Sequence, residues 1–385
     1  MASSPSLSLL DLPPELLLRI FAFVSARDVI RSASCTCKLV RSLLVDANQW
    51  KIRYASYAKT RRVRDDLDIN WRRACVERED SLPWFASDER HEAKTFKLKG
   101  HYGSVDCVHL LPNLGLCLSG GRDRLVHVWN VSNLTNEPSK GPIQTLTGHS
   151  GWVWSLASDP SSSGIVCTGS WDHRVMVWHL EQPEKQLLRG HKAVVLCMSM
   201  PEPNILYTGC QDKITRCFDL RASNEPMHTV QSHSRSVLCL DVANDFVVTG
   251  SEDQTVLVWD RRSSQDYKRI DDIPSIAMCL RYTQSFLRVG AGNGRVYSYS
   301  KDKDFAQTEI TSYHSGKVNS ICHNLGIVMT SSTDGSVAVQ EPWDKSNVAT
   351  VVSLAGGQIS RIDFAGNMLA IASSDAAVRV IDHSR

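Results

Sequence analysis

The stretch Cys167–Trp178, CTGSWDHRVMVW, joins a hydroxyl (Thr168), a carboxylate (Asp172) and an indole (Trp178), and His149 stands upstream in TGHS. Hydroxyl, imidazole and carboxylate are the parts of a hydrolase triad. The same parts recur along the chain, and the recurrence decides how they are read. Aligned on the acidic or amide residue before an alternating run, the sequence gives GRDRLVHVWN at Asp123, SWDHRVMVWH at Asp172, CQDKITRCFD at Asp212 and SEDQTVLVWD at Asp253. AGNGRVYSYS at Asn293, STDGSVAVQE at Asp334 and SSDAAVRVID at Asp375 complete the set. After a longer first interval, these seven units are spaced 40 or 41 residues apart.

Other marks keep the same register. Six residues past the anchors stand Trp129, Trp178, Phe218, Trp259, Tyr299, Gln340 and Ile381. His101, His149, His191, His233 and His314 precede their anchors by 20 to 23 residues, each with a valine four residues on (Val105, Val153, Val195, Val237, Val318). Ser119, Thr168, Thr208, Thr249 and Thr330 lie four residues before theirs. RLVHVW, RVMVW and TVLVW alternate and carry β-branched residues behind a turn, which predicts strands. Each unit fits four short strands. A sheet that size cannot bury both faces alone, whereas seven packed around an axis can.

A nucleophile needs one activated hydroxyl in one concave site. A His, an acid and a hydroxyl repeated in five units instead read as a device of the fold. A turn Asp accepts from turn amides and from an imidazole, the imidazole meets a hydroxyl, and the hydroxyl meets an indole N–H. Buried polar groups left without such partners cost about 1–3 kcal/mol each. No copy carries an extra base or a nucleophile elbow. The sequence therefore assigns no catalytic residue, and the chain is read as a non-enzyme.

The pattern GH…D…W(D/N) at this period resembles the WD40 repeat of β-propellers over residues 95–385. The resemblance implies an Asp–His–Ser/Thr–Trp network at Asp123, His101, Ser119 and Trp129, at Asp172, His149, Thr168 and Trp178, and at Asp253, His233, Thr249 and Trp259. The third unit departs with Phe218, which has no N–H. The fifth has Ile273 for the His and Val289 for the hydroxyl, the sixth has Gln340 for the Trp, and the seventh keeps only Asp375. Apolar packing is expected to carry units five to seven. The last pattern, AAVRVID, has no outermost strand after it, while the short strand TFKLK (Thr95–Lys99) precedes the first Gly-His. In the family an N-terminal strand completes the last blade, so a seven-bladed wheel closed in this way is expected, hiding an exposed edge. Residues 131–146, with Pro138, Gly141 and Pro142, read as a long loop.

The texture before the propeller is helical. Leu12, Leu16, Ile20, Phe21 and Val24 recur at helical spacing around LPPE, where Pro suits the first turn and Glu15 the helix dipole. SARD (Ser25–Asp28) reads as an N-cap with an acid three residues on. Val29, Ile30, Ala33 and Cys37 make a second apolar run, and Leu39, Leu43, Leu44 and Trp50 a third. Three short helices make a small core, and one reading of residues 6–52 is a cap on the propeller. LDLPPELLLRIFAFVSARDVIRSASCTCKLVRSLLVDANQWK also resembles an F-box, with Val40 where that family commonly has Trp. The resemblance implies that Leu12, Pro13, Leu16, Ile20 and Phe21 bind the adaptor Skp1. Residues 53–94 read as a helical connector, its KTRRVR run a solvated face.

Lys+Arg total 43 against 41 Asp+Glu, a net charge of +2 that gives no general electrostatic case for nucleic acid or membrane. There are 12 cysteines but no C-x-x-C, and the one C-x-C, Cys35/Cys37, falls in a helical stretch, so no zinc spacing is present. Cys107, Cys197, Cys239 and Cys279 sit in apolar strand patterns as small hydrophobes. A reducing compartment is expected, cytosol or nucleus rather than secretion. The N-terminal apolar run is broken by Asp11, Glu15 and Arg19 and reads neither as a leader nor as a span. Asn130 and Asn133 match a glycosylation sequon that such a compartment leaves unused.

Joined, the two parts resemble F-box/WD-repeat proteins, the substrate receptors of SCF ubiquitin ligases. That implies no cofactor, an F-box holding Skp1 and through it a cullin-1/RING module, and a propeller holding a protein substrate. The alternative is a non-degradative scaffold. Substrate contacts are expected on the face with the tight turns, where Arg122, Trp171, Gln211, Glu252 and Thr333 precede their anchors. Arg and Trp are hot-spot types. With one Arg among the five positions, phosphate recognition is not expected.

Overall fold

The computed structural model describes residues 12–33, 38–57, 69–85 and 94–383, save 133, 135–140, 162, 183, 232, 244, 264, 284, 343 and 355–356. KTRRVR, Cys35, Cys37, Asn133 and Pro138 lie outside the described residues. The chain divides into two compact units. One is Met1–Ala86 with Asn324–Ile327 and Gln340–Asn347; the other is Ser87–His323, Val328–Val339 and Val348–Arg385.

The helical unit contains α1 (Pro14–Phe21), α2 (Ala26–Asp28, continuing as a π turn over Val29–Ala33), α3 (Lys38–Val45), α4 (Ala47–Tyr57) and α5 (Trp71–Ser81). Pro14 opens α1, and the Ser25 hydroxyl caps α2 by accepting from the Asp28 N–H at 3.1 Å. The core gathers Leu17, Phe21, Ala26, Val29, Val40, Leu44, Trp50 and Tyr54 with Trp71, Ala74 and Cys75. Val40 is buried there in the place of the family's Trp. The last three come from α5, so the helical core extends through the segment read as a connector. Glu79 ties it together: its carboxylate accepts from the Ala26 N–H (2.6 Å), the Tyr57 hydroxyl (2.6 Å) and Arg53 (2.7 Å). Arg53 also donates to the Phe21 carbonyl at 2.8 Å. Arg78 donates to the Gly326 carbonyl at 3.2 Å and pairs with Glu341, a buried ion pair.

The second unit is a seven-bladed propeller of four-stranded antiparallel sheets. Blade one is β2 (Val105–Leu111), β3 (Leu116–Gly121), β4 (Val126–Asn130) and β5 (Gln144–Leu146), counted outward from the axis. Blade two is β6 (Val153–Ser158), β7 (Ile165–Ser170), β8 (Val175–His179) and β9 (Lys185–Leu188); blades three to six repeat the order through β25 (Asp344–Ser353). Blade seven takes β26 (Ile359–Ala365), β27 (Met368–Ser373) and β28 (Ala377–Asp382), and its outermost strand is β1 (Lys94–Lys99). Leu98 pairs with Val378 and Phe96 with Val380. Each innermost strand touches its two neighbours, and β2 meets β26, so the ring is closed.

Period-two side chains explain why blades stack. Along β8, Val175 and Val177 enter the cluster shared with blade three, while Met176 and Trp178 enter the cluster shared with blade one. Close approach also needs glycine: a Cβ on Gly169 would sit 2.5 Å from the Ser155 Oγ and 2.8 Å from the Val195 Cγ1 of the next blade. In every blade the innermost strand's pairing skips one residue near its start, passing over Asp106, Trp154, Leu196, Leu238, Met278, Asn319 and Ser360. Such a bulge re-aims the skipped side chain. The axial cavity of about 470 Å³ is lined by Cys197, Cys239, Cys279 and Arg361 among others. Burial pushes the Cys197 and Cys279 thiols up to about 12, so they are inert packing groups.

Closure by β1 predicts that Leu98→Ala lowers unfolding free energy by about 2–4 kcal/mol. Lys99→Ala, exposed on the same strand, should shift it by less than about 0.5 kcal/mol. Urea denaturation followed by tryptophan fluorescence compares them.

Candidate protein-binding surfaces

The repeated polar chain is present and buried. In blade two the Trp178 indole donates to the Thr168 hydroxyl (2.9 Å), which lies 2.7 Å from His149 Nε2, and His149 Nδ1 meets Asp172 at 2.9 Å. Blade one repeats it through Trp129, Ser119, His101 and Asp123 at 2.8, 2.8 and 2.7 Å. With Nδ1–H donating to the carboxylate, Nε2 accepts from the hydroxyl, and every donation runs the same way. The Asp then accepts turn amides: Ser150 N–H at 2.9 Å and Arg174 N–H at 3.0 Å on Asp172. Ser119 and Thr168 are fully buried. A hydroxyl closed off from solvent and engaged on both sides cannot meet a substrate, so this arrangement builds blades.

Blades depart from the pattern for identifiable reasons. In blade four His233 meets Asp253 (3.2 Å) and Thr249 (2.9 Å), but among the described residues no bond joins the Trp259 indole to Thr249. The pairing of β16 (Val256–Asp260) with β17 (Gln265–Ile270) slips at that residue, and the ring lies edge-on to Tyr207 at 6.2 Å. This corrects the placement of Trp259 in the network. In blade three, Phe218 offers no N–H, and Arg216 takes over, donating to His191 Nδ1 (3.3 Å) and Asp212 (3.1 Å). Blade seven does the same, Arg379 gripping Asp375 at 3.0 Å. DKITR and DAAVR carry this Asp-to-Arg spacing, a signal the sequence reading missed. In blade five, Ile273, Val289 and Tyr299 are buried in one apolar cluster, as expected. Blade six keeps a His–Thr pair, His314 to Thr330 at 2.8 Å, which the expectation of apolar packing undervalued. Among the described residues two groups have metal-ligand spacing, His101/Asp123/His127 and His191/Cys210/Asp212. His101, Asp123, His191 and Asp212 already serve these networks, so no metal is assigned to either group.

The anchors put one loop face of the propeller in register. The N–H groups of Arg122, Trp171, Gln211, Glu252 and Thr333 donate to the carbonyls of Ser104, Trp152, Val194, Ser236 and Lys317 at 2.9–3.0 Å. The structure thus brings all five predicted residues to equivalent sites. Two form a patch. Trp171 is 41% exposed and packs on Trp152 (centroids 4.9 Å apart) and on Trp154 (5.9 Å), a bulge residue. The Arg122 guanidinium lies 4.7 Å over Trp152 and pairs with the bulge residue Asp106 at 3.2 Å. Thr333 instead accepts from the Lys317 N–H (2.9 Å), and Glu252 faces Arg235 (3.5 Å). Trp154 is turned to this face by the bulge, which alternation alone does not show.

One residue past each anchor the backbone is left-handed: Arg124 (φ +69°), His173 (+67°), Lys213 (+73°), Gln254 (+67°), Gly294 (+79°), Gly335 (+81°) and Ala376 (+59°). Glycine takes this conformation freely, while an L-residue is disfavoured by about 1–2 kcal/mol.

On the helical unit, α1 turns Leu17 and Phe21 into the core and leaves Leu16 (43%) and Ile20 (38%) exposed, and the turn after it exposes Phe23 (93%). Pro13 is exposed, and Leu12 is half-buried against the core. Phe21 is therefore a core residue rather than a contact residue, and Phe23 was missed although 16, 20 and 23 share helical spacing. A groove of about 350 Å³ beside α1 is lined by Leu18, Ala22, Leu44 and Ile52 among others. Among the described residues no helix is long and apolar enough to cross a membrane.

The comparisons with known proteins divide the same way. A WD domain, G-beta repeat model matches residues 92–130, 140–179 and 224–260, the units that retain Trp, and an F-box-like model matches residues 9–55. F-box/WD repeat-containing protein 9 of Bos taurus and of Homo sapiens are each 34% identical over 97% of this chain and 82% of their own length. F-box/WD repeat-containing protein mec-15 of Caenorhabditis elegans is 26% identical over 78% of this chain and 76% of its own.

Two acid transitions are expected. Burial raises the Asp172 carboxyl, but His149 and the Ser150 and Arg174 amides outweigh it and bring it down to about 2. The stability this confers is complete above the unfolded value near 4 and is lost as pH falls toward 2. Asp172→Asn should remove that segment of the stability–pH curve. Burial and then Arg216 lower His191 to about 4, against a partial rise from Asp212. Folded His191 is thus neutral, and stability falls between about pH 6.5 and 4. His191→Gln should flatten this range in pH-dependent chemical denaturation.

Proposed function

The chain belongs to the F-box/WD-repeat family, and from that premise we propose that it is the substrate-recognition subunit of an SCF (Skp1–cullin–F-box) ubiquitin ligase, acting in the cytosol or nucleus. The helical unit holds Skp1, and through it the cullin-1/RING module. The propeller holds a protein to be ubiquitinated. The chain performs no bond chemistry itself; it raises the local concentration of the charged conjugating enzyme near substrate lysines.

The observation that carries this reading is the apolar stripe on α1. Leu16 and Ile20 are exposed on a helix whose opposite face is used in the core, and Phe23 is exposed in the turn that follows it. Surplus apolar surface of this kind suits docking against a complementary groove. The rigid anchoring of α1, through Arg53 on the Phe21 carbonyl and Glu79 on the start of α2, means that little ordering is needed on binding.

Co-expression with Skp1 and cullin-1 tests this. Leu16→Ala and Ile20→Ala should each weaken Skp1 capture by about 2 kcal/mol, roughly 30-fold, with unchanged thermal stability. Phe21→Ala should destabilise the helical unit instead. A chain that fails to capture Skp1, or whose capture ignores Leu16 and Ile20, rules the proposal out.

A further inference from the structure

We propose that the loop face of the propeller over blades one to three is a docking site for an acidic peptide segment carrying an aromatic anchor. The proposal rests on the propeller as the substrate-holding part, but not on which adaptor the helical unit binds.

Two independent features meet there. One is apolar: Trp152 and Trp171 are 36% and 41% exposed and lie against each other, backed by Trp154. They line a shallow cleft of about 340 Å³ with Arg122, Arg124, Ser150 and Gly151. Exposed, mutually packed indoles are unusual on a surface with no partner, and they offer a flat, rigid contact for another ring.

The other is a pattern of charge placed against local backbone preference. The left-handed turn position holds Arg124, His173 and Lys213 in blades one to three, Gln254 and Ala376 in blades four and seven, and Gly294 and Gly335 in blades five and six. The fold therefore accepts glycine there, and blades one to three carry basic side chains despite the strain. Gln254 and Ala376 bear the same strain, so what sets blades one to three apart is that their strained side chains are all basic. Arg124, His173 and Lys213 are exposed, as is the neighbouring Lys192. Among the described residues none of these four side chains forms an ion pair. The nearby acids are already engaged: Asp106 by Arg122, Asp172 by His149 and turn amides, Asp212 by Arg216. The outward field of this quadrant is thus positive. Blade four instead presents Glu252 and Gln254. Carboxylates across Arg124, Lys192 and Lys213, with a ring against Trp171, satisfy both features at once. The cations are spread over three blades rather than gathered as an Arg fork, which suits a run of Asp and Glu rather than one phosphate.

A random peptide library displayed on phage, selected on the full-length protein and counter-selected on Trp171→Ala, tests this. Enriched sequences should combine Asp/Glu with Trp, Tyr or Phe. A synthetic peptide from that pool should lose tenfold or more in affinity with Trp171→Ala and several-fold with Arg124→Glu or Lys213→Glu. Its affinity should fall with added salt, and Gln254→Glu should leave it unchanged. Arg124→Gly should raise the melting temperature while weakening the peptide, a pairing that a purely structural role for Arg124 does not give. No enrichment, enrichment of basic or neutral sequences, salt-independent binding, or binding only after serine phosphorylation each overturns the proposal. Skp1 capture measured on the same Trp171→Ala preparation should be intact, so failure of the peptide arm and failure of the adaptor reading stay separate.

Discussion

Strand β8 buries Val175 and Val177 against one neighbour and Met176 and Trp178 against the other, which leaves its sheet no face to give to water. Every blade shares this condition. A sheet apolar on both sides is stable only between two others, and a row of such sheets ends only when it returns to its start. Ring closure is thus a requirement of the strand pattern. The remaining devices serve it: glycine at the point of closest approach between blades, a bulge on each axial strand, and an Asp in each of six turns with Asn293 in the other.

The polar chains answer a second demand. A tight turn leaves amides unpaired, and a carboxylate placed beneath them satisfies several at once, but the carboxylate then needs its own counter-group in a semi-buried place. The protein meets that need in two ways. Blades one, two, four and six use an imidazole relaying to a hydroxyl; blades three and seven use an arginine four residues along the same strand. Neutral His191 beside Arg216 shows the two merging in one blade.

The period, the anchors and the closing strand were legible because they depend on local chemistry: turn residues, alternation and spacing. The Arg substitutes were present in the sequence as Asp and Arg four apart, but an alternating strand reads past a charged residue when others there are apolar. Trp259 was misplaced because the strand pairing slips at that residue, which no single segment encodes. The five residues before the anchors share one backbone hydrogen bond, a position that analogy among blades conveys. It does not convey their aromatic neighbour Trp154, which reads as one side of a regular strand until the bulge turns it. On α1, periodicity separated the stripe of Leu16 and Ile20 from Leu17, yet Phe21 falls on the inner side through helix geometry that a list of motif positions does not carry.

Strand β1 has an outcome in time as well as in space. Lys97 bonds Asp375 from 278 residues away in sequence, so during synthesis the latch emerges among the first elements and its partner among the last. Until then the nascent wheel has two raw edges, and such distant pairing makes for slow maturation. Once shut, the ring has no loose end from which to fray, because both termini of the propeller lie in one hydrogen-bonded sheet. Irreversible loss of the fold on heating is then governed by the rate at which that sheet opens.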